Sequence, residues 1–84
     1  MSEYYITFQS LTAAHQAAFA LIKEGISAHL IRTPKQLSAY GCSYAIRIPS
    51  DAKQRAELLF LQNQFKWERI FSIAKDWTVQ EVWF

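Results

Sequence analysis

Cysteine is nearly absent from this 84-residue chain: Cys42 is the only one, which excludes an intramolecular disulfide. With only His15 and His29 beside it, no recognisable set of zinc ligands can be assembled, and no metal site is expected. Glycine is equally scarce. Two in the whole chain cannot build a glycine-rich phosphate loop. No apolar run reaches the roughly 18 residues of a membrane span, and Met1 to Tyr5 has neither a basic nor an apolar leader region. A cytoplasmic location is the expectation. Nor is either sign of charge in large excess, since nine Lys and Arg against seven Asp and Glu leave +2, well short of the positive field of a dedicated nucleic-acid binder. The seven scattered acids single out no paired-carboxylate acid/base site.

What the chain does have is apolar bulk. It is 51% hydrophobic and 15% aromatic, a composition that offsets the limited interior of a small domain with large side chains. Its length allows one domain over residues 1–84.

Taken in order, Tyr4, Ile6 and Phe8 alternate with Tyr5, Thr7 and Gln9, the period of a half-buried strand. Ser10 can cap a helix that starts near Leu11. Its expected stripe is Leu11, Ala14, Ala18, Leu21 and Ile22 with Phe19 at one edge, and Ala14, Ala17 and Ala18 are small enough for close approach to a sheet. Gly25 ends it as a left-handed cap. A second strand is expected from Ile26 to Thr33, stopped by Pro34, and a third from Tyr44 to Pro49. Ser50 and Asp51 predict the start of a second helix with Ala52, Ala56, Leu59, Phe60 and Leu61 on its apolar face. A fourth strand is expected over Trp67–Ile73, with Trp67, Arg69, Phe71 and Ile73 on one face.

The resulting order, βαββαβ, predicts an α+β ferredoxin-like sandwich: a four-stranded antiparallel sheet with two helices on one face. Residues 76–84 are too aromatic for a solvated tail. They predict a docking segment and a possible extra C-terminal strand, either on this chain or at the edge of a second copy in a homodimer.

Chemistry is concentrated in the connection Thr33–Ser43, longer than a hairpin needs. Cys42 stands next to Gly41, which frees the backbone for a close approach, and Arg32, Lys35 and Arg47 are near enough in sequence to favour a thiolate. The plainer reading makes Cys42 a buried small hydrophobe entering the third strand. A Cys-His hydrolase would need His29 as base and a third, orienting group that the sequence does not supply. RNA binding on the sheet fails on motif, because Tyr44-Ala45-Ile46-Arg47-Ile48 lacks the Gly-aromatic pattern, and Tyr5, Trp67 and Phe71 read better as packing residues.

Several stretches resemble one family. Tyr4-Tyr5-Ile6-Thr7-Phe8-Gln9-Ser10, Lys23-Glu24-Gly25-Ile26, and Ile31-Arg32-Thr33-Pro34-Lys35-Gln36-Leu37-Ser38 followed by the glycine–cysteine pair are similar to the small Se/S carrier-like proteins. The resemblance runs from residue 4 to about residue 65. It implies a carrier rather than a classical enzyme, without a cofactor, in which Cys42 holds a persulfide or selenopersulfide between donor and acceptor proteins. Gly41, Ser43, Lys35, Ser38 and Arg47 are the residues then expected to support the thiolate or bind its cargo. The alternative is an interaction or dimerisation module with Cys42 structural.

Overall fold

The computed structural model describes residues 3–35, 44–74 and 76–82. Alternation in the first segment becomes strand β1, Glu3–Phe8, whose Ile6 and Phe8 are buried on one face and Thr7 on the other. Helix α1, Leu11–Lys23, follows, and the Ala13 amide donates to Ser10 Oγ at 3.2 Å. Its end is a Schellman motif: the Ile26 amide reaches back to the Leu21 carbonyl and the Gly25 amide to that of Ile22, with Gly25 at φ +80°. The Arg55 guanidinium donates to the Glu24 carbonyl and ties this end to the second helix.

Strand β2 is His29–Arg32, shorter than expected, and β3 is Tyr44–Pro49. Ser50–Ala52 forms a 3-10 turn, and helix α2, Lys53–Asn63, begins after it without a side-chain cap. Ser50 is therefore not the cap of an α-helix; extended Pro49 leads into the tighter turn, in which Ala52 is buried. Helix α2 stops at Gln64, whose φ of 56° is left-handed.

Strand β4 is Arg69–Ile73 and β5 is Val79–Val82. The sheet has five strands, not four, in the order β2-β3-β1-β4-β5, and every neighbouring pair is antiparallel. The fifth pairs with β4 of its own chain, Ile70 opposite Val82 and Ile73 opposite Val79.

The register sorts the side chains. Ile6, Ile46 and Ile70 lie across one another and join Phe8, Ile48, the α1 residues Ala14, Ala17, Ala18 and Leu21, and the α2 residues Ala56, Leu59 and Phe60 in a single core. Both helices thus bury their apolar stripes against the same side of the sheet. Three alanines bring α1 close to it. Leu11, Phe19 and Ile22, expected in or beside that stripe, are exposed, as is Leu61 on α2. The α1 stripe is rotated toward Ala17, because small residues let the backbone approach where larger ones would hold it off.

Trp67 also departs from expectation. It precedes β4 and packs on the helix side, 5.7 Å centroid to centroid from Phe60, which also meets Phe65 at 5.7 Å and Phe8 at 6.2 Å. Strand β4 begins only at Arg69, so the period-two phase that would have put Trp67 with Phe71 does not extend back to it. On the sheet's other face Ala45, Thr7 and Phe71 are buried all the same.

Candidate functional site

Of the site residues expected from the sequence, Ser38, Gly41, Cys42 and Ser43 lie outside the described residues; Lys35 and Arg47 lie within them. The frame that holds the connection is defined. Arg32, the last residue of β2, faces Tyr44, the first of β3, so the segment leaves and re-enters the sheet at one point. Tyr44 packs against the helix-side core, and Arg32 is exposed beside it. Cys42 precedes Tyr44 by two residues in the sequence and lies outside the described residues.

Thr33 and Pro34 are half-buried and Lys35 is exposed. The Thr33 Oγ1 is buried with no hydrogen-bond partner among the described residues. Arg47 belongs to a different neighbourhood. It sits three residues along β3 from Tyr44, about 10 Å at strand rise, opposite both His29 and Tyr5. Its Nε is 3.6 Å from the Glu3 carboxylate, an ion pair longer than a hydrogen bond. Of the cations expected near Cys42, the described frame puts Arg32 and Lys35 at the root of the segment and Arg47 further down the strand.

His29 stands at the opposite end of β2 from that root and approaches Ser27 Oγ at 3.4 Å. His15 is on exposed α1, in a groove that sequence reasoning missed. Helix α1, strand β2 and the turn before it enclose about 350 Å³. The signal was present in the spacing of Leu11, His15, Phe19 and Ile22, which continue one side of the helix beside the buried alanines.

Among the described residues there is no cluster of three or more His, Cys, Asp or Glu side chains fit for a metal, and no helix long and apolar enough to cross a membrane. Residues 1–50 carry four Lys and Arg against two acids, and residues 51–84 five against five, so the whole net charge of +2 resides in the part that holds α1, β2, the Cys42 segment and β3.

With the frame in place, the comparison with known families is decisive: the model of the family described as Putative Se/S carrier protein-like matches residues 3–72. The chain belongs to this family. The match spans β1 through most of β4 and includes the Cys42 segment, while β5 and the turn before it fall beyond its end. A carrier-like family implies interaction with partner proteins. No curated protein and no solved structure matches the chain.

Proposed function

We propose that this Se/S carrier-like protein carries sulfane sulfur or selenium on Cys42 and passes it between proteins of a reducing compartment, the cytoplasm. The carrying observation is the family match over residues 3–72, within which Cys42 is the only thiol. In loading, the Cys42 thiolate attacks the outer sulfur of a donor persulfide. A new S–S bond forms to Cys42, the donor's S–S bond breaks, and the donor leaves as a thiolate that keeps the bonding electron pair. An acceptor thiolate reverses the sequence. With selenium the intermediate is the selenopersulfide, and no external oxidant or reductant enters either step.

Lys35 and Arg32 supply positive charge where the Cys42 segment joins the sheet and favour the thiolate over the thiol. Gly41 gives the attacking sulfur backbone room, and Ser38 and Ser43 offer hydroxyls to the terminal sulfur. Arg47 contributes to the general field of this half of the chain. The frame, β1-α1-β2-β3-α2-β4, reads as ferredoxin-like with β5 added at one edge. Such a carrier is not an enzyme, and it needs no cofactor.

Cyanide tests the reading, because it removes sulfane sulfur as thiocyanate. Protein loaded by a persulfide donor and freed of it should release thiocyanate, and Lys35→Ala should load more slowly. Release equal to that of Cys42→Ser would overturn it.

A second reading, an interaction module in which Cys42 is structural, is favoured by one observation, the exposed apolar side of α1.

A further inference from the structure

At the β5 edge of the sheet, helix α2 and the strands leave a cleft of about 290 Å³ bordered by Glu57, Leu61, Trp67, Glu68, Ile70 and Val82. Register explains the grouping. Ile70 and Val82 lie opposite each other on β4 and β5 and turn to the helix side, where Ile70 joins the core and Val82 packs against it. Glu57 and Leu61 are one helical turn apart and so share a flank of α2. Trp67 reaches the same side through its contact with Phe60.

The charge in this cleft is one-sided. Arg69 and Glu81 also border it, but by alternation with Ile70 and Val82 their side chains belong to the opposite sheet face, where they answer each other at 3.1 Å. The carboxylates of Glu57 and Glu68 have no ion pair or hydrogen bond among the described residues. Lys53, one turn before Glu57, holds its Nζ 5.7 Å from the Tyr4 ring centroid, and Lys66 is not among the residues that border the cleft. An indole beside two unanswered carboxylates recognises a cation on an apolar stem. A volume of about 290 Å³ is at the low end for a ligand site and gives room for one long side chain. Arginine suits it better than lysine, because the guanidinium is planar, stacks on an aromatic face and meets carboxylates with a fork of donors.

The place of the cleft in the fold indicates who brings that side chain. Thr7 is paired with Arg69, and in the next row Phe8 is paired with Tyr44, which faces Arg32. The β4 wall therefore starts at the end of the sheet where the Cys42 segment leaves and re-enters it. A protein exchanging cargo with Cys42 approaches the molecule from this end.

We propose that the cleft receives an arginine side chain of a transfer partner, with its guanidinium between Trp67 and the Glu57 and Glu68 carboxylates and its methylene stem on Leu61 and Val82. The choice of a transfer partner rests on the carrier reading. The chemistry of the cleft does not, and Cys42→Ser must bind arginine equally well.

The probe is a Gly-Arg-Gly peptide blocked at both ends, titrated into the full isotope-labelled chain and followed by NMR. The Trp67 indole N–H and the Leu61 and Val82 methyls should shift together. The same peptide with citrulline, the uncharged isostere of arginine, should leave them unmoved, and a lysine peptide should bind more weakly. The double variant Glu57→Gln, Glu68→Gln changes two side chains outside the core, so it should keep the wild-type shifts of core methyls while weakening binding at least about fivefold. The proposal is overturned if the arginine peptide leaves Trp67 unmoved, if the citrulline or lysine peptide binds as well, or if the double variant binds like wild type. Tighter binding by a chain ending at Val82 would make Trp83 and Phe84 the occupant, and butylguanidinium binding far more tightly than the peptide would make this a small-molecule site; either result also overturns it. Unchanged arginine binding by Cys42→Ser alongside a failed sulfur-loading experiment would overturn the carrier reading and leave the arginine cleft standing.

Discussion

Thr7 is buried on the sheet face away from the helices, where a hydroxyl is costly unless paired. It is paired twice: Oγ1 accepts from the Arg69 amide at 3.1 Å and donates to the Arg69 carbonyl at 3.2 Å. The same residue's carbonyl takes the Glu68 amide at 2.8 Å, so one side chain and its backbone fix where β4 begins. Thr7→Val keeps the shape and strands two backbone groups; it should lower unfolding free energy by about 1–3 kcal/mol in a urea titration. Gly25 is held by conformation rather than space, for a Cβ there would come no nearer than 3.9 Å to the Arg55 guanidinium. Gly25→Ala should cost about 1–2 kcal/mol through its φ of +80°. At Gln64 the inequality reverses, and Gln64→Gly should raise the urea midpoint by relieving a left-handed side chain.

Among the elements, β5 depends on a turn that titrates. The Thr78 amide donates to Asp76 Oδ1 at 3.1 Å, and hydrogen bonds from the Thr78 side chain and then its backbone hold the Asp76 carboxyl below its ordinary 3.8. A depressed carboxyl contributes stability that is complete above the ordinary value and lost as pH falls through the folded one. The β5 amides should therefore lose exchange protection only below pH 3.8, and Asp76→Asn should remove that pH step. The elements also show what a sequence displays and what it hides. Period two over Tyr4–Phe8, the Ser10 cap and the Gly25 stop were legible because each is a local preference satisfied by local geometry. Three features were not. Ser50 has the chemistry of a cap, but a 3-10 turn follows Pro49 there. The alternation runs on through Trp67 while β4 begins only at Arg69, so the turn of Trp67 toward Phe60 left no mark in it. The exposure of Phe19 and Ile22 followed from how closely three alanines let α1 settle, a tertiary matter.

At the scale of the whole molecule, one core on the helix side fixes the sheet, and the sheet fixes the two ends of the Cys42 segment at Arg32 and Tyr44. Phe60 is central to that core through Phe8, Phe65 and Trp67, and Phe60→Ala should cost about 3–5 kcal/mol. The site was legible only to a degree. An unusually long connection with a lone thiol is visible in the residues, but its cargo comes from family membership, because no spacing of cations around one cysteine distinguishes sulfur carriage from an inert thiol. The central claim is that Cys42 takes up the cargo, and intact-protein mass spectrometry after incubation with a persulfide donor tests it most directly. The wild type should become heavier by one sulfur atom, reversibly on reduction, and Cys42→Ser should not change. An unmodified wild type, or the same adduct on both proteins, would contradict the account.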